Sequence, residues 1–140
     1  MIVRGAEVEV ELEPGRWRVR WPELGIGAGP FAASVAFAGE SRSTPNGDGA
    51  WTISRSEGPD GVGNVAVWRA ADSAVALRLH VPDRGSFVAV DFAATPPRAL
   101  GLVALSPLVG ALGLPPSSRR LVNGYQSWDY AGVRPAAAPG

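Results

Sequence analysis

The residues best equipped for chemistry are crowded near the end of the chain, in Arg119-Arg120-Leu121-Val122-Asn123-Gly124-Tyr125-Gln126-Ser127-Trp128-Asp129-Tyr130. Within this window stand three aromatics, two amides and a serine. Flat apolar rings beside planar amides suit a carbohydrate, whose C–H faces stack on aromatics and whose hydroxyls take hydrogen bonds from amides. A close-packed core strand rarely carries so many polar groups, because each buried one must find a partner. A plainer reading stands beside this one. Asn123-Gly124 is a strong β-turn signal, and Tyr125 to Tyr130 would then be the strand that follows it. Tyr125, Ser127 and Asp129 would share one face of that strand, with Gln126, Trp128 and Tyr130 on the other.

Other candidate groups carry less. Glu7, Glu9, Glu11 and Glu13 alternate along one side of a strand. Neighbours i and i+2 lie about 6.6–6.8 Å apart, inside the range of about 5–9.5 Å found between glycosidase carboxylates. A general acid needs burial to raise its pKa, however, and a row of four glutamates implies a face open to water. The single histidine, His80, rules out a metal site built on histidines and a Ser-His-Asp triad. It falls out of phase with Leu79 and Val81, which predicts a surface imidazole. Gly25-Ile26-Gly27-Ala28-Gly29 resembles a phosphate-binding loop only faintly. No apolar strand leads into it, there is no lysine, and Pro30 stands where a helix would begin. A plain loop is expected there. No cofactor and no metal site are expected, and the absence of cysteine removes disulfides and thiolate ligands.

The elements that must position these groups read as short strands and turns. At 140 residues the chain is long enough for one core. Its 46% hydrophobic and 19% charged residues are a globular composition. Thirteen basic residues, all arginine, balance thirteen acidic ones, which argues against a nucleic-acid or membrane-surface partner. No segment has the length of a signal-peptide core or a membrane span, and a cytoplasmic location is the expectation. Glu7 to Glu13 and Arg16 to Trp21 alternate strictly about the turn Pro14-Gly15, predicting a hairpin that sets a glutamate row beside an arginine row. Trp17, Trp21, Trp51 and Trp68 fall on expected inward faces. Phe31–Glu40, Trp51–Arg55, Val62–Arg69, Ala74–Val81 and Phe87–Phe92 read as further strands. Pro22 to Pro30 and Ser41 to Gly49 read as connections. Leu100 to Leu114 is apolar but holds Gly101, Pro107, Gly110 and Gly113, so a strand near Leu100–Leu105 followed by a loop or single helical turn is predicted. Eight or nine short strands with regular turn signals predict an all-β, antiparallel β-sandwich over residues 1–133. Residues 134–140 follow without pattern, and the end so soon after the richest motif suggests a chain cut before its continuation.

Leu121-Val122-Asn123-Gly124-Tyr125-Gln126-Ser127-Trp128 resembles the LVN-x-[WY]-Q-S-W signature of α-galactosidases of glycoside hydrolase family 36. In that family the signature belongs to an N-terminal β-sandwich placed ahead of a catalytic (β/α)₈ barrel. The resemblance implies a non-catalytic domain or fragment of a retaining glycoside hydrolase acting on α-galactosides, with both catalytic aspartates in the barrel. A barrel takes about 250 residues, so none is contained here. The implied partners are the barrel, an α-galactoside oligosaccharide reached through the whole enzyme, and a further copy in a homo-oligomer. Trp128 corresponds to the aromatic that the sandwich contributes to the rim of the galactose pocket. Tyr125 stands where many relatives carry tryptophan, and Gln126 belongs to the same word. Asp129 lies just beyond it, able to accept hydroxyl hydrogen bonds. The alternative is a self-standing carbohydrate-binding sandwich with Tyr125, Trp128 and Tyr130 as its platform.

Overall fold

Strict alternation at the N-terminus decides the first part of the fold. Val8, Val10 and Leu12 are buried, and so are Trp17 and Val19 of the following strand. Strand β2 (Glu9–Glu13) pairs antiparallel with β3 (Arg16–Trp21), with Glu9 opposite Arg20, Glu11 opposite Arg18 and Glu13 opposite Arg16. The ion pairs form on the diagonals, Arg20 to Glu11 at 3.1 Å and Arg18 to Glu13 at 3.3 Å. Arg4 of β1 (Ile2–Arg4) meets Glu9 at 2.9 Å. These side chains are open to water, so each pair adds only a few tenths of a kcal/mol. Their larger effect is on register, because a slip by one residue would turn the charged row into the core.

The computed structural model describes residues 1–44, 48–72, 74–96, 101–112, 119–122 and 132–135. They form an all-β sandwich of antiparallel sheets. One sheet has the order β1-β2-β3-β4-β10, with β4 spanning Ile26–Phe37 and β10 spanning Leu102–Leu112. The short β5 (Glu40–Ser43) also pairs with β4. The other sheet is the meander β6 (Gly49–Gly58), β7 (Gly61–Ala70), β8 (Val75–Pro82) and β9 (Ala89–Ala94). A separate ribbon pairs β11 (Arg119–Val122) with β12 (Gly132–Pro135).

The core lies between the two sheets. Val10, Trp17, Val35 and Phe37 face Ala66, Trp68, Leu77, Leu79 and Val81. Trp17 and Trp68 are each 1% exposed, and the Trp17 ring lies 5.9 Å from that of Phe31 at an angle of 47°. Such tilted pairs add roughly 0.5–1.5 kcal/mol beyond area burial. The other two tryptophans of the core faces sit at its margins and bond across the gap. The indole N–H of Trp51, on β6, donates to the Glu13 carbonyl at 2.6 Å, and that of Trp21, on β3, donates to the Ser86 carbonyl at 2.7 Å. Asn64 of β7 adds a third link, donating to the Arg4 carbonyl at 3.2 Å.

Two expectations about glycine and proline require correction. The stretch read as a connection up to Pro30 is a 3₁₀ turn, Pro22–Leu24, followed at once by the first half of β4. One extra residue on β4 opposes β3 between the pairs Val19–Ala28 and Trp17–Phe31. Gly29 and Pro30 occupy this bulge, where proline's missing N–H costs no ladder bond. Gly29 has φ 108°, and a Cβ there would stand 2.9 Å from the Trp17 carbonyl oxygen. Likewise, the segment after Leu105 continues as a strand to Leu112, through Pro107. The register with β4 shifts between Ser106 and Val109, so Pro107 falls in an irregularity on an edge strand, the place where a sheet accepts it. Ser41 and its neighbours, read as turn, supply β5.

Truncation of the central indole tests this account of the core. Trp68→Ala should cost roughly 3–5 kcal/mol, read as a lowered urea midpoint at unchanged m-value. Trp51→Phe should cost about 1 kcal/mol, the net worth of one hydrogen bond.

Candidate functional site

The motif residues enter the structure only at their first two positions. Leu121 and Val122 close strand β11, where Leu121 pairs with Val133 and Val122 with Gly132 of β12. Antiparallel pairing therefore sets Val122 and Gly132 side by side. Tyr125, Gln126, Trp128 and Asp129, the expected substrate-binding residues, lie outside the described residues, as do Asn123, Ser127 and Tyr130.

Among the described residues, polar groups converge at one mouth of the sandwich, where β5 of the first sheet faces the β7–β8 turn of the second. A cleft of about 330 Å³ opens there, lined by Ser41, Arg42, Ser43, Asp48, Trp68 and Asp72 among others. Arg42 stands opposite Val35 in the β4–β5 register, so it takes the core-facing direction at the end of the sheet. From there its guanidinium donates to Glu40 and, across the mouth, to Asp72. Asp72 also accepts the Ala74 N–H at 3.0 Å. That backbone bond first, and Arg42 second, hold the Asp72 carboxyl below its usual pKa. An ionised, ion-paired carboxylate accepts hydrogen bonds but does not deliver protons near neutrality. Asp72 is thus placed to accept hydrogen bonds and to help close this mouth of the sandwich. Sequence reading missed the cleft because Arg42 lies in a turn-rich stretch, and only the strand register aims it inward.

The glutamate row behaves as expected of a solvated face, since Glu9, Glu11 and Glu13 all engage arginines. His80 does not behave as expected. It is on the face predicted by its phase, opposite Val65 of β7, yet only 4% exposed. The reason is Gly63, diagonally across from it. A Cβ at Gly63 would meet His80 Nε2 at 2.7 Å, so the missing side chain leaves room for the ring to lie against the sheet. His80 Nδ1 stands 3.8 Å from Asp60 Oδ2, and Nε2 has no hydrogen-bond partner among the described residues. Beyond it, Arg55 and Asp83 form a two-pronged ion pair, one N–O distance being 2.6 Å. This pair holds the Asp83 carboxyl below its usual value.

No cluster of three or more potential metal ligands occurs among the described residues, nor any helix long and apolar enough to cross a membrane. No protein-family model, curated protein or solved structure matches the chain.

Two outcomes follow from these contacts. Asp72 and Asp83 have folded-state pKa values below their unfolded ones, so their contribution is complete above about pH 4, the unfolded carboxylate value, and is lost as pH falls through the folded values. Asp72→Asn and Asp83→Asn should therefore lower the urea midpoint at pH 7 and converge on the unmodified protein in acid. Gly63→Ala should destabilise by displacing His80 and crowding the Val81 carbonyl, whose oxygen would lie 2.4 Å from the new Cβ. A melting temperature unchanged by that substitution would refute the close packing described.

Proposed function

We propose that this chain is the non-catalytic β-sandwich of an α-galactosidase-like retaining glycoside hydrolase, packing on a catalytic barrel and lending an aromatic wall to its galactoside pocket. The observation that carries this reading is the word Leu121-Val122-Asn123-Gly124-Tyr125-Gln126-Ser127-Trp128. Two further features support it. The all-β sandwich of antiparallel sheets is the fold class in which that word is expected. The β2 carboxylates are bound to arginines on an open face, which suits a domain that leaves proton transfer to another part of the enzyme.

In this reading Trp128 stacks on the sugar, while Tyr125, Gln126 and Asp129 shape the pocket rim or bond to hydroxyls. The hydrolysis itself needs a nucleophile and an acid/base carboxylate about 5–5.5 Å apart, and these come from the barrel.

The coding sequence beyond Gly140 is the first test: a (β/α)₈ barrel is expected in the same frame, and a stop codon would overturn the proposal. In the whole enzyme, Trp128→Ala should lower kcat/KM for an α-galactoside by roughly 10–100-fold, the loss of about 1.4–2.7 kcal/mol of stacking contact, with the fold intact by circular dichroism. Unchanged kinetics would remove Trp128 from the pocket. Titrated alone with methyl α-galactoside, the chain should bind only weakly. Micromolar affinity would instead favour a self-standing carbohydrate-binding module.

A further inference from the structure

The apolar filling between the sheets gives out at the mouth where β5 faces the β7–β8 turn. Beyond Trp68 and Val75 the residues there are small: Ala70, Ala71 and, opposite Ala70 on β6, Gly49. A Cβ at Gly49 would stand 2.4 Å from the Trp68 ring, so the indole itself excludes a larger residue. What remains is the cleft of about 330 Å³, at the lower end of the range of about 300–1,000 Å³ usual for ligand pockets. Its lining is mixed. Trp68, Ala70 and Val75 form an apolar side, and Ser41, Arg42, Ser43, Asp48 and Asp72 a polar one. Small-molecule sites are built in this way, from an apolar wall and a few convergent polar groups.

The polar groups are fixed and have bonding capacity to spare. A guanidinium carries five N–H groups, and among the described residues Arg42 engages two of its nitrogens, on Glu40 and on Asp72. Asp72 places one oxygen on Arg42 and the other on the Ala74 N–H, and each oxygen keeps a second lone pair. Asp48 is held at the rim through its carbonyl, which accepts the Ala71 N–H at 2.6 Å. Donor and acceptor are thus in position before a ligand arrives, which removes much of the ordering cost of binding.

Charge decides what can enter. An anion drawn to Arg42 would lie beside Asp48 and Asp72, with Glu40 on the same guanidinium. A cation drawn to Asp72 would have to share it with Arg42. A hydroxyl donates and accepts at once, and it brings no charge to desolvate. We infer that the cleft between β5 and the β7–β8 turn is a binding site for a neutral polyhydroxylated ligand of mono- or disaccharide size. Its hydroxyls bridge Arg42 and Asp72, and its C–H face lies against Ala70 and Val75. The site uses none of residues 121–130 and stands whether or not a barrel follows the chain. The Arg42 and Asp72 side chains are 26% and 48% exposed, so water competes for the same bonds. The affinity is accordingly low, with a dissociation constant on the order of 1 mM.

Amide chemical shifts of the purified chain, titrated with glucose, galactose and melibiose, provide the test. At least one of these sugars should move the amides of Ser41, Arg42, Ala70, Ala71 and Asp72 saturably. Ala70→Leu removes no polar group but fills the cleft, and should abolish the saturation at an unchanged melting temperature. Asp48→Ala, at an exposed position, should weaken binding by about three- to tenfold, the worth of one hydrogen bond. Sodium sulfate and spermidine, titrated in parallel, should bind these amides less well than the sugar. No saturable shift with any of the three sugars would overturn the inference, and so would sugar binding undiminished by both substitutions. Tighter binding of sulfate or spermidine would overturn the choice of a neutral ligand. Shifts confined to residues 121–130 would move sugar binding to the motif and leave the cleft without a ligand. None of these outcomes bears on what the coding sequence holds beyond Gly140, so the cleft and the α-galactosidase reading can fail separately.

Discussion

Everything in this fold depends on filling the space between two sheets with aromatic volume. Sheets stack about 10 Å apart, and a chain with no cysteine must hold them there without a disulfide. Trp17 and Trp68 fill the middle. Trp21 and Trp51 stand at the margins and anchor their N–H groups on carbonyls of the facing elements. Each thereby acts as filler and cross-link at once, which satisfies a polar group that would otherwise be costly at the edge of an apolar layer. The charged rows on β2 and β3 complete the arrangement from outside, since they make the reverse orientation of that hairpin untenable.

How much of this was legible in the sequence follows from how local each signal is. The hairpin from Glu9 to Trp21 could be read residue by residue, because period-two alternation fixes both the strands and their faces. The same holds for Val75, Leu77, Leu79 and Val81 of β8. The first half of β4 and the second half of β10 escaped, because Gly29, Pro30 and Pro107 signal breaks when judged by propensity, yet are accommodated where one strand slips against another. A bulge is a property of the pair, and neither strand announces it alone. His80 was misjudged for a related reason. Its phase was right, but its burial depends on Gly63, which only the β7–β8 register brings beside it.

The candidate sites divide along the same line. The word at Leu121 to Trp128 could be noticed because it is contiguous in the sequence. The cleft at Arg42 could not, because its members come from β5, from Asp48 just ahead of β6, from β7 and from the turn before β8. There the Asp72 carboxylate is tied to the Ala74 N–H and to Arg42, which suits it to accept hydrogen bonds rather than to deliver a proton. Such an acceptor fits the proposed reading, in which the chain shapes a pocket whose chemistry lies elsewhere.

The placement of β10 beside β4 has a consequence for the order in which the molecule assembles. Strands β6 to β9 are a meander, each pairing with the next through a short connection, so that sheet can zip up from local contacts. Strand β10 instead returns across the whole of that sheet to reach β4, setting Leu102 opposite Phe37. Closing so long a loop has an entropic cost before any contact rewards it. During synthesis β4 must wait with one flank unpaired until the entire second sheet has emerged. The bulge at Gly29 and Pro30 and the Pro107 irregularity are then well placed, because interruptions on both strands limit the wrong registers that an apolar pair could adopt while it waits.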